Sequence, residues 1–275
     1  VRVHAALAIL LVLALGESGC DTPATISKFC TSTVAALQPG EALLDDLKAS
    51  CIRELETQQD FGKFPIADPS APECDAQGKR AEGLKAASKL LTAYFTALNN
   101  LASFDAVKQA EDVNALVAKV NMSPGLQKSA GAVAGFLTRV ATSGYRQSQL
   151  ASDLVSVRED VRVVMDGLSE AIGSLYLPEL NGEAQKTSAR YREYVIVHPE
   201  AALPLDARWQ TDRATFDAKR KAVQFYQEAL AAVIKGNAEL AAHAHDLKAK
   251  DLSALLTSYS SQLDNLAPVI RKAFF

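Results

Sequence analysis

Cys20, Cys30, Cys51 and Cys74 are the residues with the widest choice of chemistry in this chain: nucleophile, metal ligand or disulfide. No two of them stand at CxxC spacing, so neither a dithiol redox pair nor a zinc knuckle is encoded. Cys30 falls inside a helical pattern, where an inert buried thiol is the expectation. His243 and His245 are two apart and face different sides of a helix. Glu239 and His243 do share a face at i, i+4, but two ligands from one turn, with no third cluster, read as a solvated face. HExxH and CxxCH are absent, and Met122 and Met165 offer no haem pairing, so no metal and no cofactor are expected. A GxSxG elbow is missing, and Gly131-Ala132-Val133-Ala134-Gly135 lacks the lysine and the preceding strand of a phosphate loop; no enzymatic activity is expected. What remains is a cluster of hot-spot residue types, Tyr191, Tyr194, Arg208, Trp209 and Arg213, with Arg190 and Arg192 beside them. They flank the turn from His198-Pro199 to Pro204, either as a partner surface or as packing for that turn.

The address of the chain bears on each of these groups. Arg2 and His4 lead an unbroken apolar run from Ala5 to Leu15, about 16 Å long as a helix and roughly half a bilayer's hydrocarbon thickness. Such a run is an export signal and not a permanent span. Ser18-Gly19-Cys20 resembles the end of a bacterial lipobox, in which small residues precede a cysteine that receives a diacylglyceryl group. The resemblance implies a signal peptide over 1–19, lipidation at Cys20, a polar tether over 20–25 and the membrane as a partner through that lipid. Asp21, directly after the cysteine, points to the inner membrane under bacterial sorting rules. Glu17 stands where the motif usually has an aliphatic residue, and Ala14-Leu15-Gly16 fits an ordinary secretory site, so cleavage after Gly16 stays open. Outside the cytoplasm cysteines pair. A Cys51–Cys74 bridge is expected, because the segment between them holds Gly62, Pro65, Pro69 and Pro72 without helical period. The alternative is Cys30 with Cys51, nearly symmetric about Pro39-Gly40.

The elements that must position these residues are helical. Leu84, Leu91 and Leu98 repeat every seven residues with Ala87, Tyr94 and Leu101 between them. Further seams run from Leu150 through Val161 to Leu175, from Val223 through Asn237 to Leu247, and through Leu252, Leu256, Tyr259, Leu263, Leu266 and Ile270. Asn237, at a seam position, reads as a polar register-setter. The spacing predicts helices over Gly83–Leu101, Gln127–Tyr176, Asp212–Leu247 and Asp251–Lys272, with Asp251 as an N-cap. Pro178 is expected to end the second. Gly131, Gly135 and Gly144 either interrupt it or permit close helix contact. The fold class is therefore all-α, an elongated antiparallel up-and-down bundle with an N-terminal helical hairpin turning at Pro39-Gly40. As domains, 26–275 form the bundle, with 26–76 as hairpin and stapled loop and 77–275 as the main body.

A net charge of −3 leaves no basic stripe for nucleic acid, so that partner class is not expected. The overall pattern, including Tyr94 to Leu101, Lys235 to Leu240 and Ile270 to Phe274, resembles uncharacterised helical lipoproteins of Gram-negative bacteria. That resemblance implies a periplasm-facing envelope address and no activity. The expected function is non-catalytic: a helical surface presented to an envelope protein partner, or a structural role. The alternative is a ligand-binding bundle, a sensor or carrier of a small molecule or metal.

Overall fold

The structure, a computed structural model, describes residues 22–57, 72–103, 105, 107, 112–120, 123–142 and 147–274. Cys20, the signal segment, Asp21, Met122 and Gly144 lie outside them; of the expected tether over 20–25, residues 22–25 are the first turn of a helix instead. The fold is all-α, and no strand occurs among the described residues. The helices are α1 (Thr22–Leu37), α2 (Pro39–Thr57), α3 (Asp75–Ala102), α4 (Val113–Lys119), α5 (Pro124–Val140), α6 (Gln147–Ala171), α7 (Leu177–Val197), α8 (Ala202–Ala242) and α9 (Lys250–Lys272). Their buried seams join into one contiguous hydrophobic core, aliphatic for the most part with Phe29, Tyr94, Phe95, Phe136, Tyr176 and Tyr226 inside it. Among the described residues no helix is long and apolar enough to cross a membrane.

The expected N-terminal hairpin is not what Pro39-Gly40 makes. Gln38 N still bonds Val34 O at 3.1 Å, and α2 restarts at once with Pro39 in its first turn. A proline at that position lacks only an N–H that a helix start leaves unpaired, so the rod bends without folding back. Ser27 on α1 donates to Asn99 at the end of α3 (2.6 Å), while Lys48 on α2 meets Asp75 at its start (3.1 Å). Thus α1 and α2 together run the length of α3 in the opposite direction. Gly40 is needed for a close approach: the Tyr226 ring fills the place where a Cβ would go.

Pro178 does not end a helix either. The chain passes from α6 through a π-helical turn, Ile172–Tyr176, directly into α7, with Pro178 at the second position of α7. The wider π turn absorbs the lost hydrogen bond. The break comes earlier: α5 ends at Val140, capped by Ala141, and α6 begins at Gln147. A β-carbon on Gly131 would meet nothing, and one on Gly135 only Arg139 of its own helix, so these glycines do not serve close helix contact. Ala249, not Asp251, occupies the N-cap of α9; Asp251 sits in the first turn.

Cross-links between helices give the chain directions. Arg139–Asp153 and Leu126 against Gly167 set α5 antiparallel to α6. Gln227–Ser169, Arg220–Asn181 and Tyr191–Asp212 set α8 antiparallel to the α6–α7 rod. By contrast, α1 lies along α9 in the same direction, through Thr25–Ser253 and Lys28–Asp264. Likewise α2 lies parallel to α7, through Ser50–Glu183, Glu54–Lys186 and Glu56–Arg190. Because α1 and α2 form one rod, their neighbours are not simply the next elements in sequence. The packing is a mixed bundle, not the strict up-and-down order expected.

Candidate functional site

Three features bring together residues that could meet something outside the fold. The first is the α7–α8 tip. Tyr194 stacks on His198 at 4.6 Å between ring centroids, one turn apart, and His198 closes α7 where Pro199 follows. At this tip Ile196, Val197 and Leu203 are 75%, 72% and 85% exposed. Their neighbours below are held firmly. Trp209 is half-buried, 6.2 Å from the Tyr191 ring and 6.5 Å from Phe216, and Tyr191 Oη donates to Asp212 Oδ2 at 2.6 Å. Burial, then the Asp212 carboxylate, raises the Tyr191 pKa, so the phenol keeps its proton as donor.

The five residues singled out in sequence are therefore not one patch. Tyr191 and Arg208 line a polar cleft of about 480 Å³ on one flank of the α7–α8 pair. Trp209 and Arg213 line another, of about 600 Å³, on the other flank. Arg208 pairs with Asp212 and Arg213 with Asp217, each one turn along α8. Trp209 reaches between the two helices as a strut.

At the floor of the first cleft lies a charged centre that sequence reasoning missed. Glu183 is buried and accepts from Ser50 Oγ at 2.6 Å and from Arg53 Nε and Nη2 at 2.6 and 3.0 Å. Asp46 accepts from Tyr176 Oη at 2.6 Å, Lys219 Nζ at 2.7 Å and Arg53 Nη2 at 2.9 Å. Two carboxylates face two cations, and Phe274 caps the pair, with Lys219 Nζ 6.0 Å from its ring centre. Burial acting alone would raise the Asp46 pKa, but the bonds from Lys219 and Tyr176 and the charge of Arg53 outweigh it, so it is lowered. Burial favours loss of the Arg53 proton, and Glu183 and Asp46 reverse that, so its pKa is raised. Tyr176 is raised by burial and then by Asp46. Every shift moves a group away from neutral pH, which suits a fixed ion-pair network joining α2, α7 and α8. The sequence did carry a signal. Glu183 interrupts an apolar seam between Leu180 and Ala184, and Ser50 does the same after Leu47; polar residues at seam positions need partners there.

The remaining cysteines and histidines are placed clearly. Cys51 and Cys74 stand at disulfide distance, with Cα atoms 5.9 Å apart, joining the end of α2 to the start of α3. The alternative pairing with Cys30 is not formed, because it needed the α1–α2 hairpin; Cys30 is fully buried and its thiol pKa is raised by that burial. His243 Nε2 lies 3.4 Å from Asp251, and its Nδ1 lies 3.0 Å from the Glu239 carbonyl, so it ties the α8–α9 turn. No cluster of metal ligands occurs among the described residues. Asn237 is buried and accepts from Tyr94 Oη at 3.0 Å, locking α8 against α3.

The third feature is an apolar cavity of about 270 Å³ at the end of the bundle where α1 begins. Pro23 and Ile26 of α1, Leu98 and Leu101 of α3, Leu154 of α6 and Leu240 of α8 line it, with Lys248 at its edge. The tip and the cavity lie at opposite ends of α8, about 55 Å apart from Leu203 to Leu240 at 1.5 Å per residue. No family model, curated protein or solved structure matches the chain.

Proposed function

We propose that this chain is a non-catalytic cell-envelope protein, tethered to a membrane through an acylated Cys20, whose α7–α8 tip docks another envelope protein. The observation that carries the reading is the exposure of Ile196, Val197 and Leu203 together at one helix–helix turn. Large aliphatic side chains grouped in water cost free energy that a partner's surface recovers. Support comes from placement: the tether end and the tip are the two ends of the molecule, so an anchored protein holds the tip away from the membrane. The rigid frame of Trp209, Tyr191 and Phe216 beneath the tip lowers the entropy lost on docking.

The reading is tested by substituting Ile196, Val197 and Leu203 together by Gln and recovering cross-linked partners from the native host's envelope. Loss of a specific partner with unchanged thermal stability supports it. An unchanged partner profile removes it. The anchor is tested separately by intact mass. A mass beginning at Cys20 plus about three acyl chains establishes the tether; a mass beginning at Glu17 without lipid makes the protein free in its compartment. A second reading, a ligand-binding bundle, is favoured by the apolar cavity at the tether end.

A further inference from the structure

We propose that the apolar cavity beside the start of α1 binds a single unbranched alkyl chain ending in a carboxylate, a fatty acid of about ten carbons, with Lys248 pairing the carboxylate at the mouth. The described lining is aliphatic: Ile26, Leu98, Leu101, Leu150, Leu154 and Leu240 supply its walls, and among the described residues no aromatic ring lines it to stack a flat ligand. A volume of about 270 Å³, at the roughly 30 Å³ that a water-sized group occupies in a liquid, admits about nine chain atoms. That matches a medium-length chain and excludes a sterol or a two-chain lipid held whole.

Lys248 is the single charged residue in the described lining. It is exposed in the α8–α9 turn and has no ion pair among the described residues. An ammonium at the rim of an aliphatic pocket attracts a carboxylate and repels an alkylammonium head. The turn that carries it is held by the contacts of His243 with Glu239 and Asp251, so the backbone of Lys248 has a fixed place beside Leu247, from which the ammonium reaches the rim. The proposal deepens the ligand-binding reading and rests on neither the docking tip nor acylation of Cys20.

The test uses the exported protein carrying Cys20→Ser, which cannot be acylated, titrated calorimetrically at neutral pH with carboxylates from hexanoate to tetradecanoate. Affinity is expected to rise about fourfold per methylene up to about ten carbons, then level off as the cavity fills. Decanol and decylamine bind more weakly than decanoate. Lys248→Glu, on an exposed turn, weakens decanoate at least tenfold and leaves decanol unchanged. Ala102→Trp, which projects into the cavity, abolishes binding of both while helical circular dichroism is retained. If that variant misfolds, Lys248→Glu and the chain-length series carry the test alone. Absence of saturable decanoate binding overturns the proposal, as does affinity that climbs without levelling or ignores Lys248→Glu. It is also overturned if the acylated native protein refuses decanoate while Cys20→Ser accepts it, since the occupant is then the chain's own lipid.

Discussion

Arg53 shows how much one side chain can be asked to do in this fold. It holds the buried Glu183 through two nitrogens and shares Asp46 with Lys219 and Tyr176. Arg53→Met leaves Glu183 buried with only Ser50 as a donor. Breaking a fully buried pair costs about 3–5 kcal/mol; the Arg53 side chain is 35% exposed, so screening trims this to roughly 2–3 kcal/mol, read as a lower urea midpoint. Asp46 links the same centre to acid. Its folded pKa is lowered, so its contribution is present above the unfolded value and is lost as pH falls through the folded one. His243 works in the opposite sense. Its pKa is raised above 6.5, first by the Glu239 backbone carbonyl and then by Asp251, against a desolvation effect that lowers it. The stabilisation of the α8–α9 turn is therefore complete below the unfolded value and is lost as pH rises through the folded one. Histidine NMR titration should place the His243 midpoint above 6.5, and Asp251→Asn should move it down. A midpoint unmoved by that substitution means that the carboxylate contributes nothing.

At the scale of elements, the bridge between α2 and α3 closes a loop of 23 residues, worth about 3 kcal/mol of unfolded-state entropy. Reduction should lower the melting temperature by roughly 6–12 °C for a chain of this size, while Cys30, buried throughout, stays unreactive until unfolding. Close helix approach is tested at Gly236. A β-carbon there would overlap the Phe29 ring. Replacing a helical Gly by Ala gains about 1 kcal/mol of propensity, but overpacking costs about 1–3 kcal/mol; the Phe29 ring is fully buried against Phe95 of α3 and has little room to give, so Gly236→Ala should be net destabilising by calorimetry. The helical seams were legible in large part: Leu84, Leu91, Leu98, Val161, Val223 and Leu263 are all buried. On α9 the inner face passes through Ser260 and Ala267 where Tyr259 and Leu266 were expected. Those two larger residues are only partly buried against the core. A step of three or four residues is ambiguous in sequence, and close packing of α1 and α8 selects the smaller side chain; Ser260 satisfies its hydroxyl by donating to Leu256 O at 2.7 Å.

For the whole molecule, the two ends of α8 should differ in stability. Residues around Tyr226 to Leu240 are packed on several sides, whereas the α7–α8 tip around Ile196 to Leu203 is exposed. Native-state hydrogen exchange should show the amides of the tip opening locally and those of the α8 centre only with global unfolding. Uniform protection along α8 would contradict that gradient. The sequence alone determined that the chain is all-α, where most seams lie and which cysteines bracket the loop, because periodicity and local backbone restraint are properties of neighbouring residues. Only the tertiary structure decided that Pro39 bends a rod instead of turning a hairpin, that α1 and α2 lie parallel to α9 and α7, and that Asp46, Arg53, Glu183 and Lys219 meet. Those outcomes depend on burying every seam at once, and on pairing each charge that such burial draws inside, which no single stretch of residues can specify.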